Sequence, residues 1–292
     1  MMLERLLPLF FVLIWSTGFI AARLVAPHTE PLTFLLYRYL LTVAAFIAIA
    51  VAVGAPWPRG ARAWANALLA GVLLQGIYLG GVFWAVRHGL PAGVAALVVG
   101  LQPLLTAVLA FPLLGETVGA RKWLGIALGF GGALLVLEPR LAVDVQDIAV
   151  GPLVAVVASM LAITLGTIWQ KRTGATADIR TNAAVQFIGA AIVTLPVALV
   201  TETGRFDMVW QNWVGLLWSS LGLSVGAISL LMFLIRRGSV ASVASLFYLV
   251  PPVVAVFAYL LFGETLGALQ IAGMLIAVAG VAIASRNPAS QG

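Results

Sequence analysis

Ten apolar stretches, each long enough to cross a lipid bilayer, constrain this chain more than any other feature of its sequence. A helix needs about 20 mainly apolar residues to cross the hydrocarbon core. Helices and closed barrels are the structures that satisfy their own backbone hydrogen bonds there. Proline, glycine and charged residues divide the chain into spans at about 5–26, 31–53, 64–86, 91–114, 119–138, 148–170, 180–201, 211–235, 240–262 and 267–285. We therefore expect an all-α integral membrane protein with ten transmembrane helices.

The charge content supports a membrane location. Only 9% of the 292 residues are charged, whereas about a quarter are charged in a typical soluble domain. The isoelectric point near 10.3 does not indicate a nucleic-acid partner, because the basic residues are scattered between apolar runs. The chain contains no cysteine, which excludes disulfides, thiolate catalysis and cysteine-ligated metals. We expect the lipid bilayer as a partner and no nucleic acid, and the oligomeric state is left open.

The lysines and arginines predict the orientation of the chain, since these residues stay on the cytoplasmic side. A cytoplasmic N-terminus places on that side Arg5, Arg59, Arg62, Arg121, Lys122, Lys171, Arg172, Arg180, Arg236, Arg237 and Arg286. The opposite side then receives Arg23, Arg38, Arg87, Arg140 and Arg205. This asymmetry, with an even number of spans, predicts that both termini are cytoplasmic.

A long internal repeat gives the chain its organisation. The segment that begins at Pro103 and ends in Gly115-Glu116-Thr117 recurs as a segment that begins at Pro251 and ends in Gly263-Glu264-Thr265. The offset is 148 residues (251 − 103), and Glu116 and Glu264 have the same offset. Gly125 and Gly132 recur at 273 and 280, and Gly18 at 166. A constant offset across five helices indicates duplication of residues 1–145 as residues 146–292.

The odd number of spans in each half predicts that the two halves cross the membrane in opposite directions. Glu116 then lies on the cytoplasmic side and Glu264 on the outer side. Inverted repeats are a common transporter architecture in which the substrate site lies near the membrane midplane, between the halves. This is the main reason to expect transport.

The repeated proline spans with their Gly-Glu-Thr ends, together with Phe34-Leu35-Leu36-Tyr37-Arg38-Tyr39 in the second span, resemble the drug/metabolite transporter superfamily. The similarity is to its ten-helix EamA-type members, and within them to bacterial amino-acid exporters. The chain departs from the pattern at Gln186, where the first half has Arg38. The resemblance implies a bacterial inner-membrane transporter whose central cavity is lined by spans one, three, four, six, eight and nine.

Polar and aromatic side chains deep in the predicted spans are the candidates for substrate binding. Buried amide and hydroxyl groups in a membrane need partners and favour a cavity or an interhelical hydrogen bond. Both alternatives are open for each of them, and for the tryptophan the alternative is core packing. The candidate substrate-binding residues are Trp15, Ser16, Gln75, Tyr78, Gln102, Ser245 and Tyr248.

Prolines within two repeat-related spans are candidates for hinges. A proline lacks the amide donor and leaves the carbonyl four residues earlier without its usual partner. Pro103 would free the carbonyl of Val99 in this way, and Pro251 and Pro252 recur in the second half. These prolines are either hinges next to a polar cavity or tolerated packing kinks.

The acidic residues all lie near the ends of the predicted spans, so no carboxylate is available at mid-membrane as a proton relay. This favours facilitated diffusion or exchange. We expect no metal, no cofactor and no enzymatic activity. The leading hypothesis is export of small metabolites, above all neutral, hydrophobic and aromatic amino acids, by alternating access. The alternatives are a drug-like cation or a lipid intermediate as cargo, or an intramembrane enzyme or scaffold.

Overall fold

We analyse a computed structural model, which describes residues 2–90, 92–138, 149–174, 176–263 and 266–285. Ten helices in these ranges are long and apolar enough to cross a membrane, which confirms the predicted class and span number. Spans 1 to 5 are Leu6–Val25, Pro31–Ala52, Ala61–Arg87, Val94–Leu114 and Ala120–Leu137. Spans 6 to 10 are Val150–Thr173, Ile179–Thr201, Trp210–Arg237, Val240–Leu261 and Ala268–Ser285. The helix of span 1 begins earlier, at Met2.

Spans 3 and 8 each contain a wide, π-helical turn at repeat-related positions. In span 3 this turn is Val72–Ile77, between the α-helices Ala61–Gly71 and Tyr78–Arg87. In span 8 it is Trp218–Ala227, between Trp210–Leu217 and Ile228–Arg237. Such turns occur often at functional sites. The Tyr39 hydroxyl donates to the carbonyl oxygen of Gln75 in the first of them, at 2.9 Å.

Spans 4 and 9 are both broken next to the repeated prolines. Span 4 consists of Ala92–Val99 and Gln102–Leu114. Span 9 consists of Val240–Ser245, a 3₁₀ turn Leu246–Leu249, and Val250–Phe262. The prolines lie in the first turn of the second segment, where a missing amide costs little. The helix before Pro103 has already ended at Val99, so Pro103 lies at the start of a new segment, and the choice between hinge and packing kink stays a prediction.

The helix contacts obey an approximate two-fold relation between the halves. Span 2 packs on span 7 and span 5 on span 10, while the contact of span 3 with span 6 recurs as that of span 8 with span 1. A Cβ added to Gly125 would lie 2.6 Å from the carbonyl oxygen of Gly280, and one added to Gly273 would lie 2.7 Å from that of Gly132. The repeat offset relates these two contacts to each other, since Gly125 corresponds to Gly273 and Gly132 to Gly280. Antiparallel copies require this pattern. The predicted inverted repeat is confirmed.

Hydrogen bonds between the two halves of the chain identify the two ends of the bundle. The Thr181 hydroxyl donates to the carbonyl of Pro56 at 2.8 Å, and Glu116 accepts from the amide of Val240 at 3.0 Å. We call this end, where the first helix begins, the N-terminal face. At the opposite end, the far face, Glu30 accepts from the amide of Arg205 at 2.8 Å. Glu264 and the predicted boundary between residues 145 and 146 lie outside the described residues.

The sides of the bundle are apolar, as a lipid-facing surface requires. Val200 is 85% exposed and Leu275 is 68% exposed. The charged Arg38, by contrast, is buried between spans 2 and 8, where its Nε donates to the Ser224 hydroxyl at 3.0 Å. Arg38 does not line the large cavity described below.

Candidate functional site

One large cavity of about 610 Å³ opens at the far face and extends to the middle of the bundle. Its walls come mainly from spans 1, 3, 4, 5 and 9, with Pro31 and Phe34 from span 2 and Ile163 from span 6. Pockets of about 300–1,000 Å³ suit small organic molecules. The span set implied by the resemblance needs a correction here. Span 5 contributes Phe130 and Leu134 to the wall, whereas span 8 contributes no residue to it.

An aromatic cluster forms the floor of the cavity. The Trp15 ring lies 5.3 Å from the ring of Phe247 and 5.3 Å from that of Phe11. Phe130 and Tyr248 lie 6.1 Å apart beside them. Offset and edge-on rings at such distances attract one another and bury a large apolar area. The break in span 9 positions two of these residues, since Phe247 and Tyr248 both lie in its 3₁₀ turn.

Polar groups are few in the deep part of the cavity. Tyr248 is only 2% exposed, and its hydroxyl has no hydrogen-bond partner among the described residues. Gln102 is equally buried, and its Nε2 donates to the Thr106 hydroxyl at 3.1 Å. Tyr78 completes this set on the wall. A buried hydroxyl without a partner is unfavourable, which makes Tyr248 a candidate for a hydrogen bond to a bound solute.

Basic side chains outnumber acidic ones in the lining of the cavity mouth. The mouth is lined by Arg23, Arg87 and Arg205, and by one carboxylate, Glu30. Desolvation opposes ionisation of Glu30, but hydrogen bonds from Arg205 and Thr203 outweigh it and hold the pKa of this carboxyl below its usual 4.5. Glu30 is therefore ionised at neutral pH and fastens the loop after span 1 to the loop after span 7.

The N-terminal face is closed. The ammonium group of Lys171 donates to the carbonyls of Ile235 and Gly238, at 2.8 and 2.7 Å, and lies 3.9 Å from the carboxylate of Glu116. Lys122 donates to the Ser239 hydroxyl at 2.9 Å. These contacts tie span 6 to the end of span 8 and span 5 to the start of span 9. A solute in the cavity thus has access to one side of the membrane only.

The candidate residues divide into three groups in the structure. Those that line the large cavity are Trp15, Tyr78, Gln102, Tyr248, Pro103 and Pro251. Gln75 lines only a second, small cavity, together with Trp15 and Tyr78. Ser16, Ser245 and Pro252 line neither cavity. The two serine hydroxyls donate within their own helices, to the carbonyls of Val12 at 2.7 Å and Ser242 at 2.8 Å, so helix backbone satisfies them.

Sequence reasoning missed several lining residues. Phe247 and Phe130 are apolar residues among many, and nothing in the sequence separates them from packing residues. Arg23 and Arg87 were used only to predict topology, although the repeat offset relates Arg23 to Lys171 of the closed face. The described part of the chain contains no group of three His, Asp or Glu side chains placed to hold a metal ion.

Two antiparallel five-helix halves around a cavity open to one face define a membrane transporter of the inverted-repeat class. The chain belongs to the EamA-like transporter family, which matches residues 3–138 and again residues 151–286. It is a multi-pass membrane protein that transports small molecules. A solved structure described as "Crystal structure of protein" has the same fold, with a TM-score of 0.81, 20% identity and 96% coverage of both chains.

Three relatives illustrate the range of the family. The chain is 27% identical to a "Probable amino-acid metabolite efflux pump" of Salmonella typhimurium, covering 96% of this chain and 94% of that protein. It is 26% identical to the "Uncharacterized inner membrane transporter YedA" of Escherichia coli, covering 92% and 88%. It is 25% identical to the chloroplastic "WAT1-related protein At3g02690" of Arabidopsis thaliana, covering 94% of this chain but 66% of that protein.

Proposed function

We propose that this protein exports amino acids with apolar or aromatic side chains across the bacterial inner membrane by alternating access. The observation that carries the proposal is the pairing, in one cavity, of the aromatic floor around Trp15 with the hydroxyl of Tyr248, which has no hydrogen-bond partner among the residues that the structure describes. The rings match an apolar side chain. The hydroxyl, with the amide of Gln102, offers hydrogen bonds to a carboxylate or an ammonium group.

The charge distribution favours a zwitterion over a cation. Three arginines and one glutamate line the mouth, and the described residues that line the deeper part include no acidic side chain. A drug-like cation would meet a positive potential on its way in. In this proposal both termini lie in the cytoplasm. The far face, where the cavity opens, is then the outer side of the membrane, so the cavity faces outwards in this state. In this proposal residues 1–145 are the first copy of the duplicated unit and residues 146–292 are the second.

The proposed driving force is the substrate gradient itself, by facilitated diffusion or exchange. No carboxylate lies mid-span in the sequence to act as a proton relay. This supports an uncoupled cycle, in which the aromatic floor moves with the helices and the site is exposed alternately to the two faces.

The test is a panel of amino acids in proteoliposomes, with and without a pH gradient. We expect flux above that of empty vesicles for neutral apolar and aromatic amino acids, weak flux for lysine, and no stimulation by the gradient. Trp15→Ala should reduce flux strongly, whereas Trp64→Ala, a change at a partly exposed ring near the membrane boundary, should not. Flux of cationic dyes in place of amino acids would refute the proposal.

A further inference from the structure

A second cavity lies on the other side of the aromatic floor, towards the N-terminal face. Its volume is only about 20 Å³, enough for about one water molecule. It shares Trp15, Tyr78, Ile163 and Phe247 with the large cavity. The two cavities are therefore separated by a single layer of side chains.

The internal repeat relates the small cavity to the large one. Trp15, Phe19 and Ala22 of span 1 line the large cavity, and their equivalents 148 residues later are Ile163, Thr167 and Gln170 of span 6, which line the small one. In the same way Phe83 and Arg87 correspond to Leu231 and Ile235. The small cavity thus has the position that the large cavity would have if the two halves exchanged conformations.

Several polar side chains line the small cavity. They include the amides of Gln75, Gln170 and Gln186 and the hydroxyl of Thr167. Gln186 Nε2 donates to Gln170 Oε1 at 2.6 Å. Gln170 is 2% exposed, and its own Nε2 has no partner among the described residues. A residue with an unpartnered buried donor thus lines a space that is too small for a solute in this state.

Lys171, the next residue, closes the route from the N-terminal face. Its ammonium group bridges span 6 to the carbonyls of Ile235 and Gly238, with Glu116 nearby at 3.9 Å. The repeat equivalents of Lys171, Ile235 and Gly238 are Arg23, Arg87 and Leu90. Arg23 and Arg87 line the open mouth of the large cavity. Two of the three positions that are drawn together at the closed face therefore line an opening at the other, whereas the third, Leu90, is buried there.

We propose that the small cavity is a second substrate site on the same pathway, which expands when the protein opens to the N-terminal face. There Gln170 Nε2 donates to a carboxylate or carbonyl oxygen of the substrate, and Lys171 is the latch that keeps the site shut in the present state. In the alternate state Arg23 takes the corresponding place, donating to the carbonyls of Arg87 and Leu90. The inference rests on the proposed function for its ligand class, but the latch does not depend on which solute is carried.

The latch is tested by cysteine labelling, for which the cysteine-free chain is a clean background. Thr167→Cys reports on the small cavity and its repeat equivalent Phe19→Cys on the large one. A membrane-impermeant thiol reagent is applied to each face in turn. We expect Thr167→Cys to react slowly from the N-terminal face and Phe19→Cys to react readily from the far face.

Adding Lys171→Met should reverse this pattern. Loss of its charge-assisted hydrogen bonds should raise the labelling rate of Thr167→Cys by roughly tenfold or more and lower that of Phe19→Cys. Arg172→Met is the matched control, since Arg172 is the neighbouring cation but is exposed, and it should change neither rate. If Lys171→Met does not reach the membrane, Glu116→Gln provides a milder change in the same direction. Equal rates with and without the latch would overturn the inference.

The ligand is tested by protection. In the Lys171→Met background, phenylalanine should protect Thr167→Cys from the reagent, and Gln170→Met should raise the half-protecting concentration by roughly tenfold. Gln270→Met, near the start of span 10 at the far face, is the control and should leave protection unchanged. Protection that is independent of Gln170 would refute the second site. If no amino acid protects either cysteine while the latch still responds, the proposed substrate class fails and the gating scheme stands.

Discussion

Removing the hydroxyl of Tyr248 should separate binding from stability. The ring of Tyr248 packs against Phe130 and closely approaches Gly129, but its hydroxyl is buried and has no hydrogen-bond partner in the described part of the chain. Tyr248→Phe keeps the packing and removes only that hydroxyl. A buried polar group without a hydrogen bond costs about 1–3 kcal/mol. The free energy of unfolding should therefore stay equal or increase.

Substrate affinity should change in the opposite direction. A hydrogen bond to a charged group contributes about 1.5–3 kcal/mol, which corresponds to roughly 10-fold to 150-fold in the dissociation constant. The assay combines thermal unfolding in detergent with competition binding of a neutral amino acid. Tyr259→Phe is the matched control on the same span, because Tyr259 is 52% exposed on the lipid-facing side. A less stable Tyr248→Phe protein with unchanged affinity would refute the reasoning.

Three further predictions concern the scaffold and are read out by thermal unfolding. Gly132→Ala should destabilise the protein by about 1–3 kcal/mol through overpacking against span 10, whereas Gly131→Ala, with open space around it, should have little effect. Tyr39→Phe should cost about 1–3 kcal/mol, because it leaves the carbonyl of Gln75 in the π-helical turn without its hydrogen bond; an unchanged melting temperature would contradict this. The folded protein lowers the pKa of Glu30, so the ionised carboxylate stabilises the fold at pH values above its ordinary pKa of 4.5. This stabilisation is lost as the pH falls through the lower pKa of the folded state. Glu30→Gln should abolish this acid-dependent loss of stability.

The sequence was sufficient for the architecture because membrane spans and repeats leave local signals. Apolar length predicted the ten helices, and the constant offset from Pro103 to Pro251 predicted the inverted halves. The same offset could have indicated Gln170, since it relates this residue to Ala22 on a cavity-lining face. The asymmetry between the open and the closed face could not be predicted in this way, because both halves carry nearly the same pattern.

The details of the site depended on geometry that no spacing rule contains. Ser16 and Ser245 have the depth expected of binding residues, but their hydroxyls turn back onto their own helices. Gln75 lies in a π-helical turn and lines only the small cavity, whereas Tyr78, which follows that turn, lines both cavities. Phe247 reaches the floor because span 9 breaks into a 3₁₀ turn there.

The glycine contacts between spans 5 and 10 have a consequence for the ancestry of the fold. Gly125 meets Gly280 and Gly132 meets Gly273, so each side of this seam presents the same spacing of small residues to the other. Such a contact is self-complementary, like the interface of a two-fold homodimer. A five-span protein inserted in both orientations would form the same seam with its own copy. Fusing the two copies fixes one orientation for each, and leaves the two surfaces free to acquire different gate residues.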